Sequence, residues 1–196
     1  MIQYPSGQGP SKTTPKKTST SNRGTHLEDD INRSNEYYRH NKIALVHKKP
    51  TPVQVVGVDY PSRNKVKITE AYYRKASTTD YNGVYKGFYL DFESKETKNK
   101  TSFPLSMIHD HQLDHLKSVI EHKGIAFFII RFTSRNETYL VYANDLIEFI
   151  KNNERKSIPI AWFNKQAYLI NMRYQIPCDY IEIIEKHIHE VNNNGQ

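Results

Sequence analysis

Cysteine is nearly absent from this chain of 196 residues, in which Cys178 stands alone. A single thiol closes no disulfide within one chain and builds no cysteine-based zinc site, so the sequence suits a reducing compartment. No apolar run approaches the roughly 20 residues that span a bilayer, and the first residues lack the apolar stretch of a secretory signal. The expectation is a soluble, cytoplasmic protein. Three chemical signatures are missing too: the G-x-S-x-G nucleophile elbow, the G-x-x-x-x-G-K-[ST] phosphate loop and the G-x-G-x-x-G cofactor fingerprint. Acids are the scarcer charge, 21 against 28 Lys and Arg, which leaves a net charge of +7 and favours a polyanionic partner. Nucleic acid leads that reading, with an anionic membrane surface second.

What is present divides unevenly. Residues 1–24 are rich in Ser, Thr, Pro, Gly and Lys, carry Lys12, Lys16, Lys17 and Arg23, and contain no acid. Too little apolar surface is available there to offset ordering entropy, so a disordered basic arm is expected. The length of the remainder, 25–196, fits one domain. A helix is expected from Thr25, with Glu28 three positions on, to about His40, followed by the strand "KIALVHKK". Residues 50–78 place two β-rich runs around "YPSRN", a projecting hairpin with Arg63 at its tip. Asn82-Gly83 reads as the next turn, with 88–95 as the strand that follows. Pro104 suits the first turn of a helix to about Glu121. "GIAFFIIRF" at 124–132 reads as a strand buried on both faces, "ETYLVY" at 137–142 as its hairpin neighbour, and 144–152 as a short helix. A last helix starts at Asp179 with Ile181, Ile184, Ile188 and Val191 as its core stripe. The class is α/β, a mixed sheet flanked by helices.

The chemistry concentrates in "TDYNGVYKGFYLDFESKETKNKTSFP", residues 79–104. Strand alternation sends Tyr89, Asp91, Glu93 and Lys95 to one face, so a carboxylate and an ammonium sit side by side. That pairing suits phosphodiester hydrolysis, the carboxylate holding a hard cation and the amine offsetting charge on the phosphate. A second carboxylate is needed, and Asp80 is the candidate from the neighbouring strand. By itself the pattern D-x12-E-x-K also fits a surface salt-bridge ladder. Gln112 falls within the apolar stripe of Leu105, Ile108, Leu116 and Val119, where an unpaired amide would cost roughly 1–3 kcal/mol. Its oxygen is either a further metal ligand or bonded to backbone. His109, His111 and His115 show no H-E-x-x-H spacing and read as solvated helix histidines near DNA phosphates. Cys178, after Pro177 at the start of the last helix, reads as a small buried or capping-region residue.

The runs "SNRGTHLEDDIN", "HKKPTPVQVV", "ASTTDYNGVYKG", "DFESKETKNKTSFPL" and "HDHQLDH" together resemble the RecU family of Holliday junction resolvases over roughly residues 22–190. The resemblance implies a restriction-endonuclease-like fold, a Mg²⁺-dependent endonuclease and a mushroom-shaped homodimer whose stalk is the hairpin at 50–78. It carries the metal site onto Thr78, Asp80, Glu93 and Gln112 and the catalytic lysine onto Lys95; Thr78 enters by resemblance alone. It implies a four-way junction DNA substrate, symmetrical nicking of two strands of like polarity, and other recombination proteins as partners. Arg63, Lys48, Lys65 and Lys67 are the candidate DNA contacts, with Lys49 beside them. Tyr72 and Tyr73 either stack on bases or pack the stalk. Glu28 either joins the site or caps its own helix. Phe88 and Ser94 depart from the family pattern. The rival functions are a non-catalytic branched-DNA binding module and a duplex-specific metal nuclease.

Overall fold

The computed structural model describes residues 26–62, 65–74 and 78–194. In chain order it contains α1 (Leu27–His40), β1 (Leu45–Lys48), β2 (Val53–Ser62), β3 (Lys65–Tyr73), β4 (Tyr81–Tyr85) and β5 (Phe88–Thr97). There follow β6 (Ser102–Pro104), α2 (Asp110–Glu121), β7 (Ile125–Phe132), β8 (Glu137–Tyr142) and α3 (Ala143–Asn152). The chain continues through β9 (Ser157–Pro159), α4 (Ile160–Gln166), β10 (Tyr168–Leu169) and α5 (Ile181–Asn194). The expected arm at 1–24, the Thr25 cap and Arg63 lie outside the described residues. Among those described, no helix is long and apolar enough to cross a membrane.

Six strands form one sheet in the order β1-β4-β5-β7-β8-β10. The pair β5–β7 is parallel and every other pair antiparallel, so the sheet is mixed, in line with the α/β class the sequence implies. Strand β7 has strands on both sides and alternates its side chains between two cores. Phe127 and Ile129 join Leu27, Ile31, Leu90, Phe92 and Ile184 beneath α1 and α5. Phe128, Ile130 and Phe132 join Leu116, Leu146 and Phe163 beneath α2, α3 and α4. Register brings Tyr81, Phe92 and Phe127 into one row across three strands. Their rings stack at 4.8 and 4.6 Å between centroids, a cross-strand arrangement that adds roughly 0.5–1.5 kcal/mol per pair beyond area burial.

Three sequence expectations shift. The turn after β4 is Lys86-Gly87, with φ of 48° and 86°, and it closes the pair Tyr85↔Phe88. Two successive left-handed residues are what a two-residue hairpin loop favours. Asn82-Gly83 lies inside β4 instead. Gly83 is required there because a Cβ would stand 2.2 Å from the Leu45 carbonyl oxygen and 2.6 Å from the Val46 Cα on β1. Pro104 ends β6, which pairs with β9, and a single 3₁₀ turn over Leu105–Met107 precedes α2. The helix therefore begins at Asp110. At the last helix, Ile181, Ile184 and Ile188 are buried together with Ile183, but Val191 is 55% exposed, because it lies a turn beyond the last buried position of α5.

The hairpin of β2 and β3 stands alone as a two-stranded ribbon, every residue of β3 exposed. Pairing of Val58 with Ile68 and of Asp59 with Lys67 puts an apolar edge on one face and Lys65 and Lys67 on the other.

Candidate active site

Strand β5 changes neighbours along its length. Its pairing with β4 ends at Tyr81↔Phe92, whereas its pairing with β7 runs on to Thr97. From Glu93 onward one edge of β5 is therefore open, and a cleft forms where β4 peels away. Glu28, Asp80, Glu93, Lys95, His111 and Gln112 line it, with a volume of about 480 Å³. Leu90 and Phe92 face the α1 core, so alternation turns Asp91, Glu93 and Lys95 toward α2.

Within the cleft the backbone N–H of Asp80 donates to Glu93 Oε2 at 3.1 Å, and Lys95 Nζ donates to Glu93 Oε1 at 2.7 Å. Ser94 Oγ lies 3.4 Å from Asp80 Oδ2. Glu93 is 1% exposed. Burial, then the neighbouring Asp80 charge, push its carboxyl up to about 7, against the opposing pull of Lys95. Two carboxylates held this close want a proton or a cation between them.

Gln112 sits at the third position of α2, and its Oε1 accepts the His109 N–H at 3.1 Å. This satisfies the backbone-bonded reading and still leaves one lone pair of the amide oxygen for another partner. Glu28 projects from the first turn of α1, ion-paired with Lys48 at the cleft mouth. The α1 terminus is tied down from afar, since Leu27 N–H donates to Glu96 Oε1 at 2.9 Å. Thr78 is half-buried, its hydroxyl 3.5 Å from the Thr79 carbonyl oxygen, and it is not among the residues lining the cleft. Lys65 and Lys67 are exposed on the ribbon, as are Tyr72 and Tyr73.

Sequence reasoning passed over a second polar group behind the cleft. Asp91 is wholly buried. It accepts hydrogen bonds from Lys49 Nζ at 2.9 Å, Tyr89 Oη at 2.7 Å and the Thr79 hydroxyl, and His115 Nε2 stands 3.1 Å away without hydrogen-bond alignment. Two expectations change accordingly. Lys49 turns inward instead of meeting DNA, and His115 packs on Asp91 instead of standing in solvent; of the three histidines, His109 is the exposed one. The period-two alternation that selected Glu93 already placed Asp91 on the same face, which was the available signal.

The donor set fits a hard divalent ion. Asp80, Glu93 and the Gln112 amide supply oxygen, with room for water, as Mg²⁺ prefers. Among the described residues no group of three or more His, Cys, Asp or Glu forms that could hold a metal ion. Cys178 is buried with its thiol pushed up to about 12 by burial, which leaves it unreactive. Another cavity of comparable size, about 490 Å³, lies at the start of β7 beside Tyr142, Asp145 and His187 and holds a single carboxylate.

The model of the family Recombination protein U, RecU, matches residues 22–186. The Holliday junction resolvase RecU of a Geobacillus species is 55% identical over 168 residues, covering 84% of each chain. That of Oceanobacillus iheyensis is 54% identical over 169 residues, covering 85% of this chain and 86% of its own. A solved structure of Archaeoglobus fulgidus Hjc, an archaeal Holliday junction resolvase, gives a TM-score of 0.37 at 12% identity, covering 69% of this chain and 86% of that one.

Proposed function

This chain belongs to the RecU family of Holliday junction resolvases, and from that premise we propose that it resolves four-way DNA junctions with Mg²⁺ held by Asp80, Glu93, Gln112 and Thr78. It is an endonuclease that hydrolyses phosphodiester bonds. The observation that supports the metal site best is the convergence on one cleft of Glu93 and its strand neighbour Lys95, the Asp80 segment bonded to Glu93, and the α2 residue Gln112.

Asp80 and Glu93 present the anionic oxygens, and the Gln112 amide supplies a neutral one. Mg²⁺, when bound, supplies Lewis-acid polarisation of the scissile phosphate and a more acidic attacking water. Lys95, beside Glu93 in the cleft, would offset the charge that builds on the phosphate oxygens. Thr78, its hydroxyl 3.5 Å from the Thr79 carbonyl oxygen, would be the remaining oxygen donor that the family resemblance assigns. Lys48, paired with Glu28, and Lys65 and Lys67 on the exposed ribbon meet DNA phosphates, with Arg63 as a further phosphate contact carried over from the sequence. A homodimer with two such clefts would match the near two-fold symmetry of the junction and nick two strands of like polarity. Work in the cytoplasm beside other recombination proteins completes the reading.

A nicking assay on a synthetic junction tests it. Cleavage is expected with Mg²⁺, none with EDTA, and much slower attack on linear duplex. Equal rates on both substrates would make the protein a duplex nuclease, and binding with no cleavage under any divalent ion would make it a binding module.

Glu93 also sets a pH dependence. Its folded pKa stands above the unfolded value, so in metal-free protein its contribution to stability is full below the ordinary carboxylate range near 4.5 and is lost as pH rises through about 7. Metal must displace that proton. The apparent dissociation constant for Mg²⁺ is therefore expected to rise about tenfold per pH unit below about pH 7 and to flatten above it. Calorimetric titration in two buffers of different ionisation enthalpy reads the released proton directly, and a pH-independent affinity would contradict the assignment.

A further inference from the structure

The hairpin enters and leaves the domain beside Asp91. Lys49 lies four residues before β2, and Thr79 six residues after β3. Both side chains end on the Asp91 carboxylate, Lys49 at 2.9 Å and the Thr79 hydroxyl on the other oxygen. They also bond each other, Lys49 Nζ donating to Thr79 Oγ1 at 3.0 Å. Lys49 N–H donates to the Asp80 carbonyl oxygen at 2.7 Å, while Asp80 N–H reaches Glu93. The peptide groups on both sides of Asp80 are thus fixed, one to the incoming root of the hairpin and one to the catalytic strand. Asp91 is two residues from Glu93 on that same strand and face.

We infer that Asp91 is a positioning residue: its buried carboxylate clamps both roots of the hairpin to β5 and thereby sets where Asp80 stands relative to Glu93. The inference rests on the reading of the cleft as a metal site. Metal ligands tolerate misplacement of only about 0.5 Å, and this clamp is what holds the segment 78–80 that β4 leaves unpaired. It also gives the hairpin a path to the cleft. A ribbon with every β3 residue exposed has little besides its roots to fix its direction, so displacement of the ribbon by DNA is delivered to Lys49 and Thr79, and from them to Asp80.

Thr79 is 3% exposed, and Thr79→Val keeps its shape while removing the hydroxyl. Loss of one buried hydrogen bond of this kind predicts about a tenfold rise in the Mg²⁺ concentration giving half-maximal junction cleavage. Junction binding measured without metal stays within about twofold, and Thr79→Ser restores the wild-type response. Asp91→Asn, which keeps the volume and loses the ion pair with Lys49, shifts the same curve in the same direction and serves if Thr79→Val does not fold. A wild-type metal response in the folded variants overturns the clamp. So does a Thr79→Ser variant as impaired as Thr79→Val, since packing and not the hydroxyl would then matter. A Glu93→Gln protein that still cuts would overturn the metal-site reading itself, independently of what Thr79→Val does.

Discussion

Glu93→Gln is expected to lower the rate of junction cleavage by about 10²–10³ or more, with junction affinity in EDTA unchanged within about twofold. The substitution preserves the side chain's volume in a site that is 1% exposed, so packing is conserved and only the charge disappears. Three things go together: an anionic ligand for the cation, the charge that pairs with the Lys95 amine at 2.7 Å, and the repulsion with Asp80 that the cation relieves. Because Glu93 lines the cleft and the proposed DNA contacts Lys65 and Lys67 stand on the separate ribbon, junction capture is expected to be untouched. Single-turnover cleavage paired with a gel-shift titration separates the two effects. A variant cutting within about threefold of wild type would remove Glu93 from the chemistry.

The largest expected loss of stability belongs to Arg131→Met. Arg131 on β7 pairs with Asp30 on α1 at 2.7 Å, with side chains 6% and 1% exposed, and its Nε donates to Thr138 Oγ1 at 2.9 Å. Removing the guanidinium leaves a carboxylate inside the α1 core without its cation. Breaking a buried pair from one side costs about 3–5 kcal/mol, which for a chain of this size lowers the melting temperature by roughly 6–20 °C. Adding Asp30→Leu to Arg131→Met is expected to recover most of that loss, because the desolvation cost goes with the charge. Thermal melts of the two single variants and the double variant read the coupling. Strictly additive losses would mean that the pair contributes nothing specific.

The regular parts of this protein were legible because their signals are local. Alternation along 88–95 sorted Leu90 and Phe92 from Asp91, Glu93 and Lys95, and the apolar run at 124–132 announced a strand buried on both faces. What escaped depends on partners far away in sequence. The pairing of β6 with β9 joins residues more than fifty positions apart, so nothing near Pro104 signals that it closes a strand. Asn82-Gly83 has the composition of a turn, but the approach of β1 on Gly83 decides otherwise. Gln112 was selected as a polar residue on a buried face. Its position near the start of α2, and its bond to His109, needed the correct helix boundary. Lys49 and His115 looked like surface cations because the acid that receives them, Asp91, comes from a different element.

Strand β7 is a party wall. With Phe127 and Ile129 committed to one side and Phe128, Ile130 and Phe132 to the other, neither half of the protein can be loosened while its neighbour stays intact. A void opened far from the DNA, under α5 or α3, is felt by the strand against which β5 lies in parallel, and so by the carboxylate it bears. The reserve of stability is held jointly, and residues that never approach the substrate share in keeping the blade aligned.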